Sequence, residues 1–146
     1  MFTSYIRQVS PSPITTVLDL GCGHLRERLR ADFGDKYWGT DINPSCPCDE
    51  VMDAEKNHYE DAFHVVSAFS VIEHVENPML MLRLMLRACK VGVIVSTDFQ
   101  RVDMDGDPDH LYAWTPKVFR QFMSRVGTRQ NVWHDGNVLF GVTYKI

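Results

Sequence analysis

Short apolar segments alternate with helical segments along most of this chain, and that alternation constrains the fold more than any other feature. The clearest segment, Val91–Thr97 (VGVIVST), carries no charged residue, as a strand buried on both faces of a sheet requires. Parallel strands need a long crossover between them, usually a helix, so the alternation predicts a largely parallel sheet. The predicted strands in this region are Ile14–Leu20, Lys36–Asp41, Glu50–Asp53, Phe63–Phe69 and Val91–Thr97.

Helices between these strands are predicted from apolar spacing and from residues typical of helix starts. Leu25, Leu29 and Phe33 recur at four-residue spacing with charged residues between them, which indicates one buried stripe. Asn77-Pro78 and Thr115-Pro116 each combine a good N-cap residue with a proline suited to the first helical position. A helix is therefore predicted after the first strand, one before Val91 and one late in the chain.

The C-terminal segment differs from the rest because Asp135-Gly136 is typical of a tight hairpin turn. Two further strands are expected around it, which adds one antiparallel strand to the sheet. No proper helix fits between the second and third strands, since Pro44 and Pro47 interrupt that segment. The sequence therefore predicts a minimal α/β fold in which residues 1–146 form a single domain.

Composition narrows the classes of protein further. The chain has 45% hydrophobic and 23% charged residues and a net charge of −4, which argues against disorder and against binding nucleic acid through basic charge. Its N-terminus lacks the pattern of a secretory signal, and its most apolar stretch is too short to span a membrane. The cysteines at positions 22, 46, 48 and 89 show no zinc-type pairing. We expect free thiols, a cytoplasmic location and no metal site.

Two glycines, Gly21 and Gly23, mark the turn that follows the first strand. Glycine lets the backbone approach a ligand closely, and the helix that follows presents free N–H groups. Asp41 and Asp53 are expected at the ends of the next two strands, on the edge where open α/β sheets bind ligands. Arg26 stands where a dinucleotide motif needs a third small residue, which argues against a pyrophosphate. The alternatives to ligand binding are structural: the two glycines could serve packing, and the two aspartates could cap loops.

In this order and spacing, the motifs resemble those of class I S-adenosylmethionine-dependent methyltransferases, a broad group that includes small-molecule methyltransferases. Val17–Gly23 (VLDLGCG) is similar to the first motif of that family and Gly39–Asp41 (GTD) to the second. Met52–Ala54 (MDA) is similar to the third and Phe63–Val75 (FHVVSAFSVIEHV) to the fourth. The resemblance covers about residues 15–126. It implies a Rossmann-like, doubly wound, mostly parallel seven-stranded sheet with one antiparallel strand in the C-terminal hairpin.

The resemblance also implies S-adenosylmethionine as the cofactor, with S-adenosylhomocysteine as the product. It assigns the methionine part to the backbone of Gly21–Gly23, with Asp19 supporting that turn and the amino group. Asp41 would accept hydrogen bonds from the ribose and Asp53 from the adenine amino group, while Phe69 would line the reactive end. The full set implied to bind the cofactor is Asp19, Gly21, Cys22, Gly23, Asp41, Ile42, Asp53, Ala54 and Phe69.

Methyl transfer to a hydroxyl needs a base for the acceptor proton, and histidine suits that task near neutral pH. His74 is the first candidate because it follows the fourth strand at the ligand edge, and Glu73 would orient it. His110, on a later loop, is the second candidate. The alternatives are a histidine that caps the next helix and a solvated loop acid. Ser70 stands where metal-binding quinone-pathway O-methyltransferases resembling this segment have a glutamate, so no catalytic metal is expected.

The expected acceptor is a small molecule. Methyltransferases of exocyclic base amines resemble one another in an Asn/Asp-Pro-Pro-aromatic motif, which this chain lacks after its fourth strand. That absence and the acidic charge argue against a nucleic-acid substrate. Two alternative functions remain. One is an inactive relative that binds the cofactor as a partner subunit, and the other is a nicotinamide-dependent oxidoreductase. The short N-terminal segment leaves open a second copy of the chain, or a partner chain, covering the site; no membrane partner is expected.

Overall fold

The fold is an α/β sandwich, described by a computed structural model over residues 1–98, 111–126 and 129–145. Seven strands form one sheet: β1 Val17–Leu20, β2 Tyr37–Asp41, β3 Glu50–Val51, β4 Phe63–Phe69, β5 Cys89–Asp98, β6 Arg129–Asp135 and β7 Val138–Tyr144. The α-helices are α1 Phe2–Val9, α2 Leu25–Phe33, α3 Pro78–Ala88 and α4 Pro116–Met123. Single 3₁₀ turns occur at Gly34–Lys36 and Ala54–Lys56.

The strand order is β3-β2-β1-β4-β5-β7-β6. Neighbouring strands from β3 to β5 pair in parallel, and β7 runs antiparallel to both β5 and β6. The predicted Rossmann-like sheet with one antiparallel strand in a C-terminal hairpin is therefore confirmed. Chain order reverses beside β1, which has β2 on one side and β4 on the other, so this is a topological switch point of the kind where such sheets bind ligands.

Helices cover both faces of the sheet, because successive residues of the central strands point to opposite faces. On one face, Leu18 packs with Leu82 of α3 in a core that α4 also joins. On the other face, Val17 packs with Ile6 of α1 in a core that α2 also joins. All four of these side chains are fully buried. This arrangement confirms the doubly wound prediction and explains why the central strands carry apolar residues in succession.

The predicted helix starts have the expected capping bonds. The side-chain oxygen of Asn77 accepts the Leu80 backbone N–H at 3.0 Å, and that of Thr115 accepts the Val118 N–H at 3.2 Å. Each cap satisfies one of the N–H groups that have no partner within a helix. Within the part of the chain that the structure describes, no helix is long and apolar enough to cross a membrane.

Several boundaries differ from the sequence-based expectation. The first strand begins at Val17 rather than Ile14, whose side chain is exposed, and β3 is only two residues long. The N-terminal helix α1 was not predicted; its buried residues are only Ile6 and Val9, and no side chain caps its start. The segment between β2 and β3 contains no helix, as the two prolines in it indicate.

Candidate functional site

The turn after β1 has a backbone geometry that favours glycine at two positions. Gly21 and Gly23 have φ values of +66° and +44°, in the left-handed region. A Cβ at position 21 would also lie 2.6 Å from Cγ2 of Val71, so Val71 would have to shift to admit a side chain there. Between them, the Cys22 N–H donates to the Thr40 carbonyl at 2.8 Å, which anchors the turn to β2.

Asp41, at the end of β2, connects this turn to the loop that follows β2. One carboxylate oxygen, Oδ2, accepts the Gly23 N–H at 3.1 Å, and Oδ1 accepts the Asn43 N–H at 3.0 Å. Carboxylate oxygens have further lone pairs, so both can still accept hydrogen bonds from a ligand. The backbone contacts fix the orientation of this side chain. The loop-capping alternative for Asp41 is thus compatible with a binding role.

Two open cavities lie beside this turn at the C-terminal edge of the sheet. The first cavity, of about 530 Å³, is lined by Gly23, His24, Arg26, Glu27, Asp41, Asn43, Ser45, Cys46 and Pro47. The second cavity, of about 570 Å³, is lined by Gly21, Ile42, Met52, Asp53, Ala54, Glu55, Lys56, Val71, His74, Val75, Glu76 and Leu80. Volumes in this range suit a small ligand. Most residues predicted to bind a cofactor line one of these two cavities.

The wall of the second cavity is built around the 3₁₀ turn after β3. Asp53 caps that turn by accepting the Glu55 N–H at 2.9 Å, and Ala54 is buried beside it. Glu55 in turn accepts the backbone N–H groups of Glu76 and Asn77 at 3.0 and 2.6 Å, which joins the turn to the start of α3. The cavity therefore has a rigid side that contains an apolar floor and a carboxylate.

Asp19 lies beneath the glycine turn and is almost completely buried. Its two oxygens accept hydrogen bonds from the hydroxyls of Ser67 and Tyr37 at 2.7 and 2.9 Å. Burial raises the pKa of this carboxyl to about 6, while the two hydroxyl donors partly oppose that rise. Asp19 does not line either cavity, so the contacts that the structure describes are those of a residue supporting the turn.

Glu73 and His74 lie in the turn between β4 and α3, in different environments. His74 is exposed and lines the second cavity, and its N–H donates to the Val71 carbonyl at 2.9 Å. Since Asn77 caps α3, His74 is not the residue that caps this helix. The neighbouring Glu73 is only 2% exposed, so the alternative of a solvated loop acid is wrong, and burial raises the pKa of its carboxyl.

The Glu73 carboxylate is buried in the segment that follows β4. Its two oxygens, the Thr97 hydroxyl and the Trp114 indole N–H are buried and form no hydrogen bond within the described residues. Thr97 partly opposes the effect of burial on the pKa of the Glu73 carboxyl. Unsatisfied groups of this kind are rare in folded proteins and often mark functional sites.

Among the predicted site residues that the structure describes, four line neither cavity: Asp19, Cys22, Phe69 and Glu73. Phe69, the last residue of β4, is buried against Phe2 of α1, with ring centroids 4.6 Å apart, and lines neither cavity. His110 lies outside the described residues, so its role as a second base stays a prediction.

Asp49 and Cys46 join the site although sequence reasoning did not select them as site residues. Asp49 accepts the Gly39 N–H at 2.8 Å and hydrogen bonds from Arg26 and Arg30 of α2. Burial alone would raise its pKa, but these donors hold the pKa of Asp49 below its ordinary value. The sequence carries no spacing signal for this cluster, because Asp49 is far along the chain from both arginines.

Cys46 lies close to Cys22 and Asp41. One ligand atom from each of these three residues, the two sulfurs and a carboxylate oxygen, lies within 4.8 Å of the others. Burial raises the pKa of the Cys22 thiol to about 12, so this thiol is not a nucleophile at neutral pH.

Comparisons with known proteins agree with this geometry. A family model described as a methyltransferase domain matches residues 4–133. No curated protein gives a significant sequence match. Among solved structures, a SAM-dependent methyltransferase from Archaeoglobus fulgidus is similar at 16% identity and a TM-score of 0.75, over 99% of this chain and 93% of that chain.

Two further solved structures have the same fold. Magnesium protoporphyrin IX methyltransferase from Synechocystis PCC 6803, with bound SAH, aligns at 12% identity and a TM-score of 0.67, over 99% of this chain and 81% of that chain. A complex between the Haloferax volcanii Trm112 methyltransferase activator and a methyltransferase aligns at 13% identity and a TM-score of 0.70, over 98% and 90% of the two chains. At such identities the likeness establishes the fold.

Proposed function

The chain belongs to the methyltransferase-domain family, and from that premise we propose that it transfers a methyl group from S-adenosylmethionine to a small-molecule acceptor. The observation that carries the proposal is the second cavity. It is lined by Gly21, Ile42, Asp53 and Ala54, all implied cofactor residues, and also by the candidate base His74. A binding surface and a candidate general base therefore share one cavity at the switch point of the sheet.

The residues around the two cavities fit such a cofactor. Asp41 and Asp53 offer carboxylate oxygens for hydroxyl and amino donors, and Ile42 and Ala54 offer apolar surface for an aromatic ring. Gly21 leaves its backbone free of a side chain at the edge of the cavity. When bound, S-adenosylmethionine supplies a methyl group already activated on a sulfonium. The protein must therefore mainly hold the acceptor in line with it.

His74 would accept the acceptor proton on a ring nitrogen as the acceptor oxygen takes the methyl group. A general base of this kind requires the ring nitrogen lone pair of a neutral imidazole. Glu73 does not act as a solvated base, because its carboxyl is buried. Its buried oxygens could accept a hydrogen bond from a donor group of the acceptor.

The first test is calorimetric titration of the purified protein with S-adenosylmethionine, S-adenosylhomocysteine and NAD. Micromolar binding of the first two, lost in Asp41→Ala, is expected, since that substitution removes the proposed ribose contact and the bond to Gly23. Asp35→Ala is the matched control because Asp35 is exposed and lines neither cavity. Binding of NAD alone would contradict the proposal, as would failure of the folded protein to bind any of the three.

Turnover on a panel of hydroxyl-bearing acceptors tests the catalytic part. His74→Ala is expected to lower kcat by roughly 10²–10⁴-fold with cofactor affinity unchanged, as for the loss of a general base. His134→Ala serves as the control, since His134 is exposed on β6 and lines neither cavity. Cofactor binding with no turnover on any acceptor would favour the alternative, an inactive partner subunit. The activator bound to the Haloferax methyltransferase is a precedent for assembly with a second chain.

A further inference from the structure

The cluster of Cys22, Asp41 and Cys46 joins three separate segments: the glycine turn, the end of β2 and the loop before β3. Their ligand atoms lie within 4.8 Å of one another. A tetrahedral zinc ion with bonds of about 2.0 to 2.3 Å holds such atoms roughly 3.6 to 3.8 Å apart, so small side-chain rotations suffice. Two thiols and a carboxylate are a donor set typical of zinc and of similar thiophilic cations.

We propose that Cys22, Asp41 and Cys46 form a binding site for a thiophilic divalent cation such as Zn²⁺. The backbone already holds all three residues in place. Cys22 and Cys46 donate their N–H groups to the carbonyls of Thr40 and Asn43 at 2.8 and 3.0 Å. Asp41 is oriented by the N–H bonds on both of its oxygens. Ligands held in this way reduce the entropy lost when an ion binds.

The surroundings give the ion a route of entry and a fourth ligand. Asp41 and Cys46 line the first cavity, which is open to solvent, while Cys22 lies behind them with only 2% exposure. A water molecule from that cavity would complete a tetrahedral set with three protein ligands. Binding releases one proton from each thiol, because the thiolate is the ligand form. The site then carries two positive charges from the ion and three negative charges from the ligands.

Asp41 belongs both to this cluster and to the ribose contact proposed above, so the linkage to the cofactor rests on the proposed function. A cation held by Asp41 withdraws its oxygens from hydrogen bonds to the ribose. Zinc is therefore expected to weaken the binding of S-adenosylmethionine, and by reciprocity the cofactor weakens the binding of zinc. The cation site itself does not depend on this linkage.

The test uses the full-length protein, treated with a chelator and kept reduced with a phosphine, which prevents a Cys22–Cys46 disulfide from forming. Titration with Co²⁺ is followed by the thiolate-to-cobalt charge-transfer band, and Zn²⁺ affinity is then measured by displacement of Co²⁺. Cys46→Ser is expected to remove most of the band and to weaken Zn²⁺ binding by more than about 100-fold. Cys48→Ser is the matched control, since Cys48 lies on the same loop outside the cluster.

Absence of the charge-transfer band in the reduced wild-type protein would overturn the proposal. Equal losses in Cys46→Ser and Cys48→Ser would overturn the assigned ligand set. Calorimetry with S-adenosylmethionine, on chelated and on zinc-loaded protein, separates this inference from the proposed function. Cofactor binding without zinc binding refutes the cation site alone, and zinc binding without cofactor binding refutes the proposed function alone. Equal cofactor affinity in both forms would overturn the proposed competition for Asp41 and leave the cation site standing.

Discussion

Asp19 shows how one buried carboxyl makes stability depend on pH. Its pKa in the folded protein is about 6, against an ordinary value of 3.8, because burial disfavours the charged form. A folded-state pKa above the unfolded value means that the folded protein binds the proton more tightly. The stabilisation is therefore complete only well below pH 3.8 and is lost as the pH rises through about 6.

Asp19→Asn is predicted to remove this part of the pH dependence. Between pH 4 and pH 7 the unfolding free energy of the wild type should fall by about 2 kcal/mol more than that of the variant, since one pKa unit corresponds to about 1.4 kcal/mol. Urea unfolding of both proteins at several pH values measures the difference, in which the contributions of other groups cancel. Parallel pH curves for the two proteins would show that Asp19 titrates normally.

Alanine substitutions at Gly21 and Gly136 distinguish the cost of a strained backbone conformation from the cost of a steric clash. Gly21→Ala is predicted to destabilise the protein by roughly 1–3 kcal/mol more than Gly136→Ala, as overpacking typically does. Both glycines have a positive φ, but only at position 21 would the added Cβ meet Val71; at position 136 nothing lies within 4 Å. Urea unfolding measures both losses, and adding Val71→Ala to Gly21→Ala should recover most of the extra destabilisation. Equal losses in the two alanine variants would contradict the clash.

At the scale of the element, α1 is held by packing rather than by its own sequence. An isolated helix of eight residues is marginal in water, so its stability must come from the apolar face buried on the sheet. Ile6→Ala should cost about 2–5 kcal/mol of unfolding free energy, because Ile6 is fully buried. Ile14→Ala, at a side chain that is 63% exposed, should change it by less than about 0.5 kcal/mol. Similar effects in urea unfolding would show that α1 does not pack as described.

At the scale of the whole molecule, the two cores on opposite faces share the same sheet and should unfold together. Trp114 lies in the core with α3 and α4, and Trp133 packs against the core with α1 and α2. Variants that keep only one of these two tryptophans, with Trp38 replaced by Phe in both, report each face separately. In each variant, unfolding followed by fluorescence should coincide with unfolding followed by circular dichroism. Separate midpoints would show that the faces unfold independently.

The sequence-based predictions of secondary structure were correct where the pattern that indicates an element lies within a few neighbouring residues. Strand β4 and the caps of α3 and α4 were predicted because alternation, buried runs and capping residues act within a few neighbouring positions. Helix α1 was missed because its apolar pattern is short and its stability is tertiary. For the candidate site, the motifs selected Gly21, Ile42 and Asp53, and these three residues line one cavity. They also selected Phe69, which α1 covers.

The sequence by itself determined the strands and every helix except α1, the family, and the edge at which Gly21, Asp41 and Asp53 meet. Local backbone preferences and the common direction of parallel strands carry that information. Only the tertiary structure decided that Cys22 and Cys46 lie together, and that Glu73 is buried. Proximity between distant segments and exclusion of water depend on every element packed around a residue, and no spacing along the chain encodes them.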